Sequence, residues 1–317
     1  MRIVDLRHEP PPPAWGVTVD ADAVDRLADA WATRPFPQPA FDYPGLPPWT
    51  GDAWLDFAVV ATSVVACLWP PDGEEMWGVT WEGEHLVDAP AVWACFARGL
   101  RPADGGLDLG PLSRMDDAAA RRFFAGDGVL QLVPERGARL RRVAASLGEH
   151  WGGHARAIFE QAGFRGPDVV RLLVETIPGY RDEAETPVGL LRFWKLAHLA
   201  VAVAAARSPV PVTGMEEFPV YPDYMLPVVL RHEGVLVYGP ELAATVDRRA
   251  LIPADSNQEW AIRWATVYAG EALRQALGAR GNPVTGPALD YALWSRAVLG
   301  PDAGRMGEHH RTVTLAY

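Results

Sequence analysis

Apolar residues recur at helical spacing through most of this chain, and few stretches alternate as strands do. Val24, Leu27, Ala28 and Trp31 form one such stripe within residues 19–33. Residues 52–68 are a continuous apolar run whose length favours a buried helix over a strand. Helical patterning continues at 89–100, 116–125, 134–151, 154–162, 168–176, 188–206, 257–277 and 286–299. Only residues 77–81 and 85–87, joined through Glu82-Gly83-Glu84, read as a β-hairpin. A mostly α fold with one small hairpin is therefore expected. No repeat or low-complexity linker divides the chain, so a single domain over residues 1–317 is expected, with the proline-bearing residues 1–17 as an extended N-terminal arm. Residues 34–50, rich in proline and aromatics, and residues 278–286 read as loops. In residues 134–151 the charges Glu135, Arg136, Arg139, Arg141 and Arg142 read most simply as a solvated face.

Composition narrows the function classes. At 49% hydrophobic, 317 residues can bury a sizeable core. A net charge of -11 argues against a DNA or RNA polymer as partner, which clustered Lys and Arg would bind, yet allows a local pocket for one phosphate. Cys67 and Cys95 sit in apolar runs and read as buried thiols of a reducing, cytoplasmic compartment. No Cys/His set has metal-ligand spacing, so no metal is expected. No signal peptide is evident, and the apolar run at 196–206 is too short to span a bilayer. Nothing in the sequence speaks to oligomeric state.

The chemistry is best placed in Pro219-Val220-Tyr221-Pro222-Asp223-Tyr224-Met225, an apolar and aromatic stretch with one acid near its centre. An ionised carboxylate among apolar groups is costly without a partner. Pro219 and Pro222 disfavour helix before Asp223, whereas the residues after Pro227 can be helical. Asp223 is thus expected at an entry turn, where a carboxylate is favoured by the helix start. Capping is the plain role for such a residue; aromatic neighbours add the possibility of a site.

Ordered blocks along the chain resemble the queuosine salvage proteins, the queuosine 5′-phosphate N-glycosidases. They are Cys67-Leu68-Trp69, Tyr180-Arg181-Asp182-Glu183-Ala184, Phe193-Trp194-Lys195-Leu196-Ala197 and Tyr221-Pro222-Asp223-Tyr224. Tyr238 with Glu241-Leu242 follows, then Ile252-Pro253-Ala254 with Glu259 and Ile262-Arg263, Leu289-Asp290-Tyr291 with Leu293-Trp294, and the tail His309-His310-Arg311-Thr312. The likeness runs from about the first helix to the end. It implies a helical fold resembling the helix-hairpin-helix DNA glycosylases, and cleavage of the N-glycosidic bond in a nucleoside 5′-monophosphate without metal or organic cofactor. The family's catalytic Asp falls on Asp223, its stacking aromatic on Tyr221, and its C-terminal Asp-Tyr pair on Asp290 and Tyr291.

Those residue types suit the chemistry. A carboxylate beside the sugar carbon stabilises an oxocarbenium-like transition state and can take a proton from attacking water. Tyr221, Tyr224 and Tyr291 can hold a flat base. Lys195, Arg263, His309, His310 and Arg311 are candidate cations for the phosphate. Alternatives stand beside several of these: Lys195 as a snorkelling lysine, Arg263 and Glu259 as an i,i+4 salt bridge, and residues 309–311 as a solvated tail. Arg181 and Asp182 read as a buried structural pair.

Departures from the family pattern fall on base-contacting positions. Tyr43-Pro44 stands where the family has His-Pro, Thr62 and Val65 stand close to where it has Asp and Asn, and Ser295 replaces an Asp. An Asp can accept from two donors of a guanine-like edge; with Ser they would be poorly satisfied, at about 1–3 kcal/mol. Queuine or another 7-deazapurine is therefore open as the base. A different nucleotide-like substrate in specialised metabolism, or a binding protein without turnover, are the alternatives.

Overall fold

Residues 1–317 are described in a computed structural model. After the arm come β1 (Val17–Val19) and α1 (Ala21–Trp31), then α2 (Gly51–Thr62), β2 (Gly78–Trp81), β3 (Glu84–Val87) and α3 (Asp88–Gly99). The short pair β4 (Pro102–Ala103) and β5 (Gly106–Leu107) precedes α4 (Gly110–Ser113), α5 (Asp117–Phe123), α6 (Val133–His150), α7 (Arg156–Gln161) and α8 (Gly166–Thr176). Next are β6 (Glu183–Thr186), β7 (Gly189–Arg192), α9 (Lys195–Arg207), α10 (Leu226–His232), β8 (Leu236–Tyr238), α11 (Pro240–Asp247), α12 (Asn257–Ala279) and α13 (Gly286–Val298). The mostly α expectation holds, and β2–β3 is the expected hairpin. Three further antiparallel pairs, β1–β8, β4–β5 and β6–β7, accompany it. No helix is long and apolar enough to cross a membrane.

The chain forms two compact units, each assembled from discontinuous segments. Met1–Pro39, Asp182–Lys195 and Met215–Val313 make the first; Ala40–Arg181, Leu196–Gly214 and Thr314–Tyr317 make the second.

In the first unit α12 is the central element because it is apolar on two faces. Ala261, Ile262, Ala265, Ala269 and Leu273 join Leu27, Trp31, Leu230 and Leu289 in the larger core, packed against α1, α10 and α13. Trp264 and Val267 meet Val4, Leu6, Leu191 and Phe193 in a smaller cluster. The N-terminal arm belongs to that cluster. Val4 N–H donates to Leu190 O at 3.0 Å, the Trp264 indole donates to Glu9 O at 2.6 Å, and Trp15 lies edge-on to Trp264. Gly189, with φ of +136°, lets the arm approach: a Cβ there would stand 2.7 Å from Arg2 O.

In the second unit α2 packs against α3, α6, α7 and β5. Its buried Asp56 accepts from Leu107 N–H, Ala155 N–H and the His154 ring. Both cysteines are buried and free.

Four local expectations are corrected. The apolar run at 52–68 stops being helical at Thr62. Thr62 and Ser63 hydroxyls donate back to Ala58 O and Val60 O, a competition that loosens helix ends, and Cys67 is turned to φ of +50°. The residues beyond stay buried because α6 supplies their missing donors: Arg136, fully buried, donates to the carbonyls of Val64, Ala66, Cys67 and Gln131. The charge run in α6 is therefore not simply a solvated face. Residues 188–194 are strand and turn rather than helix, since β7 pairs with β6 from Glu183 opposite Arg192. Finally, residues 310–312 are buried, not a solvated tail, with Ile252 N–H donating to Arg311 O at 2.8 Å.

Candidate functional site

The stretch ahead of α10 is gripped by α12 and α13. Gly270 on α12 leaves room for Val220: a Cβ there would stand 2.5 Å from its Cγ2. Gly286, first in α13, does the same for the backbone, where a Cβ would meet Phe218 O at 1.9 Å. Phe218, Val220 and Tyr221 are consequently buried, while Asp223, Tyr224 and Met225 keep partial exposure.

Pro222 is the middle residue of a three-residue turn, in which Asp223 N–H donates to Tyr221 O at 2.8 Å. The turn delivers Asp223 to the start of α10. Met225 N–H and Leu226 N–H donate to its Oδ1 at 2.8 and 3.0 Å, so the capping role is real. Both bonds fall on Oδ1; Oδ2 takes no part in them.

Asp290, on α13, braces the same turn by accepting Tyr221 N–H on Oδ1 at 2.7 Å. Burial pushes the Asp290 carboxyl well above the ordinary carboxylate range, and the nearby Asp223 carboxylate pushes it further. Tyr221 N–H and the Lys195 ammonium work against that rise. Burial and the Asp290 charge likewise keep the Tyr221 phenol well above its usual value. With Tyr221 only 4% exposed, little of its ring is open to a ligand, unlike the stacking face expected for it.

Lys195 is buried, at 6% exposure, and opens α9 rather than riding along its face as a snorkelling lysine would. The residue before it, Trp194, sits at φ of +49°, a strained conformation for a non-glycine, which turns the chain out of β7. Glu183 holds that indole at 3.2 Å.

Arg263 lies deeper. Its guanidinium is paired with both oxygens of Asp182, with Glu259 at 3.1 Å, and sits 3.9 Å over the Phe193 ring. Asp182 thus pairs with Arg263, and not with the exposed Arg181. The i,i+4 bridge to Glu259 is present as half of a larger network.

Burial, foremost, lowers both histidines of the tail. His309 is held below its usual value, and His310, close to His309 and Arg263, is pushed down to about 3. Both are neutral near pH 7, so neither serves as a fixed cation. Lys195 and Arg311 are the other two candidate cations, and both are buried. The Tyr224 ring lies 5.1 Å from that of His309, and Tyr291 stacks on Trp294 at 6.2 Å. Ser295 has its Oγ buried without a hydrogen-bond partner.

The other positions that depart from the family pattern lie in the second unit. Tyr43, with Asp42, Trp81 and Glu84, lines a cavity of about 420 Å³ there. The Thr62 hydroxyl is used structurally, on Ala58 O and 2.8 Å from the Tyr180 hydroxyl. Val65 is buried.

A buried His310 that must remain neutral has a consequence for stability. Its folded value of about 3 lies below the unfolded 6.5, so the folded state binds fewer protons in that window, and stability is lost as pH falls from about 6.5 toward 3. The raised Asp290 works in the opposite sense, costing stability as pH climbs. His310→Gln is expected to flatten the acid side of the stability curve measured by urea unfolding between pH 7 and 4. Parallel curves for variant and wild type would refute this.

These features define a helical protein with a carboxylate fixed at a helix start, near a second carboxyl that braces the same turn and a buried ammonium. The queuosine salvage protein family model matches residues 47–317, and the chain belongs to that family. A queuosine 5′-phosphate N-glycosylase/hydrolase of Sphaerobacter thermophilus is 31% identical over 96% of this chain and 94% of its own length. Proteins of the same name from Dictyostelium discoideum and Mus musculus are each 25% identical, over 82% and 84% of this chain and 77% and 82% of their own lengths.

Proposed function

We propose that this chain is an N-glycoside hydrolase that frees the base from a queuosine-type nucleoside 5′-monophosphate. The observation that carries the reading is the placement of Asp223: its Oδ1 is fixed by two backbone N–H groups, while Oδ2 is not used by them, near Asp290, whose carboxyl burial pushes above the ordinary range. A fixed carboxylate costs no reorganisation as the sugar carbon becomes cationic, and it can accept a proton from the attacking water. Lys195 and Arg311 supply charge for the phosphate; Tyr224, Tyr291 and Trp294 supply aromatic surface for the base. The chemistry requires neither a metal nor an organic cofactor. The reading extends to a fold like the helix-hairpin-helix DNA glycosylases, to a small nucleotide rather than a polymer as partner, and to a reducing cytoplasmic setting in keeping with the two free thiols. Incubation with queuosine 5′-monophosphate should yield free base and ribose 5-phosphate in equal amounts. Product lacking ribose 5-phosphate would point to lyase or transferase chemistry instead.

One observation favours a second base. Ser295 leaves a buried Oγ without a partner at the position where the family carries an Asp. A base with fewer donors on that edge suits it better than queuine. Turnover of queuosine 5′-monophosphate slower than that of another 7-deazapurine nucleotide would support this reading, and the reverse order would remove it.

A further inference from the structure

We infer that Arg263 is a positioning residue that sets the spacing between Asp223 and Lys195, and not a phosphate ligand. The inference rests on the hydrolase reading above. Its basis is what the guanidinium touches. Nε donates to Pro222 O at 3.3 Å, the carbonyl immediately before Asp223. Nη1 donates to Asp182 and to Glu259, each at 3.1 Å, and Nη2 to the second oxygen of Asp182. Four N–H···O bonds and the Phe193 ring beneath it leave the group 3% exposed, its charge already matched by two carboxylates.

The partners explain why this matters for chemistry. Asp182 closes the mouth of the β6–β7 hairpin, its own carbonyl accepting Phe193 N–H at 3.0 Å. Phe193 is two residues before Lys195. One guanidinium therefore ties the turn that carries the carboxylate to the strand end that carries the ammonium. Arg suits the task because its planar fork meets both Asp182 oxygens while Nε points elsewhere; lysine offers a single point of contact. Burying three charges is costly, and loss of one partner leaves the others unmatched, so this cluster is retained for placement rather than for stability.

The test uses the full-length protein with queuosine 5′-monophosphate as substrate and ribose 5-phosphate as inhibitor. Arg263→Lys should lower kcat roughly 10- to 100-fold, the effect of a displacement near 1 Å, with KM and the ribose 5-phosphate inhibition constant within about threefold of wild type. Arg263→Ala should regain part of its kcat on addition of guanidinium ion, which no phosphate-binding role at that position predicts without a matching recovery of KM. Phe193→Leu, which keeps every ion pair, should show a smaller fall in kcat with the same unchanged KM; it carries the test if the arginine variants do not fold. A rise in KM and in the inhibition constant at constant kcat would overturn the inference in favour of a phosphate ligand. An unchanged kcat in both Arg263→Lys and Phe193→Leu would overturn it too. Asp223→Asn run in parallel separates the two levels: if that variant keeps full turnover the hydrolase reading itself fails, whereas if it is inactive and Arg263→Lys is normal only the present inference does.

Discussion

Asp223→Asn should lower kcat for base release by at least about a thousandfold while the protein melts within a few degrees of wild type. The substitution keeps an oxygen where Oδ1 now accepts Met225 N–H and Leu226 N–H, so the turn around Pro222 and the start of α10 are retained. What disappears is the negative charge. Electrostatic stabilisation of a developing charge is worth roughly 10² to 10³ in rate, and a positioned base contributes a similar factor. Single-turnover release of base, followed with a thermal melt on the same sample, measures both. Activity within tenfold of wild type would remove Asp223 from the chemistry.

The second large effect is on stability. Arg136→Met should destabilise the protein by at least about 4 kcal/mol, because four carbonyls lose their donor at once. Those of Ala66, Cys67 and Gln131 lie 2.7, 3.0 and 3.0 Å from the guanidinium nitrogens, and Val64 O is the fourth. An orphaned buried polar group costs about 1–3 kcal/mol, and a domain has only about 5–15 kcal/mol in total. Methionine preserves the apolar stem, so the loss isolates the head group. Arg136→Lys should fall between the two, since one ammonium cannot reach every carbonyl. The urea midpoint decides the matter, and a shift equivalent to less than about 1 kcal/mol would contradict it.

How much of this could be read in advance varies with the length scale of the signal. Most helices were legible because a stripe such as Val24, Leu27, Ala28 and Trp31 is a local pattern. β1 and β8 were not: they are three residues each and find one another across some two hundred residues of chain. The two compact units were hidden for the same reason, being sewn from separate segments with no composition change at their borders.

Asp223 stood out as a lone acid between prolines and aromatics, and Asp290 and Lys195 were named with it. Their environment was not legible. That the Asp290 carboxyl is pushed above its ordinary range depends on burial by elements far apart in the chain. Arg263 carried a visible i,i+4 partner in Glu259, yet its pairing with Asp182 and its bond to Pro222 O come from tertiary structure. Arg136 illustrates the opposite error: a charge-rich helix invites a solvent-facing reading, and only the buried, non-helical chain at 64–67 explains the arginine. Gly270 in the middle of α12 was a local clue, since a glycine inside a helix often marks a close approach.

The docked arm changes how much of the chain must be kept together. The family match starts at residue 47, yet the second apolar face of α12 is covered by Val4, Leu6 and Trp15, and its first face by α1. A protein trimmed to the matched span would present two greasy sides of one long helix to water, and would clump before its catalytic potential could be judged. The boundary of the family model and that of the foldable chain are, in this molecule, some forty residues apart.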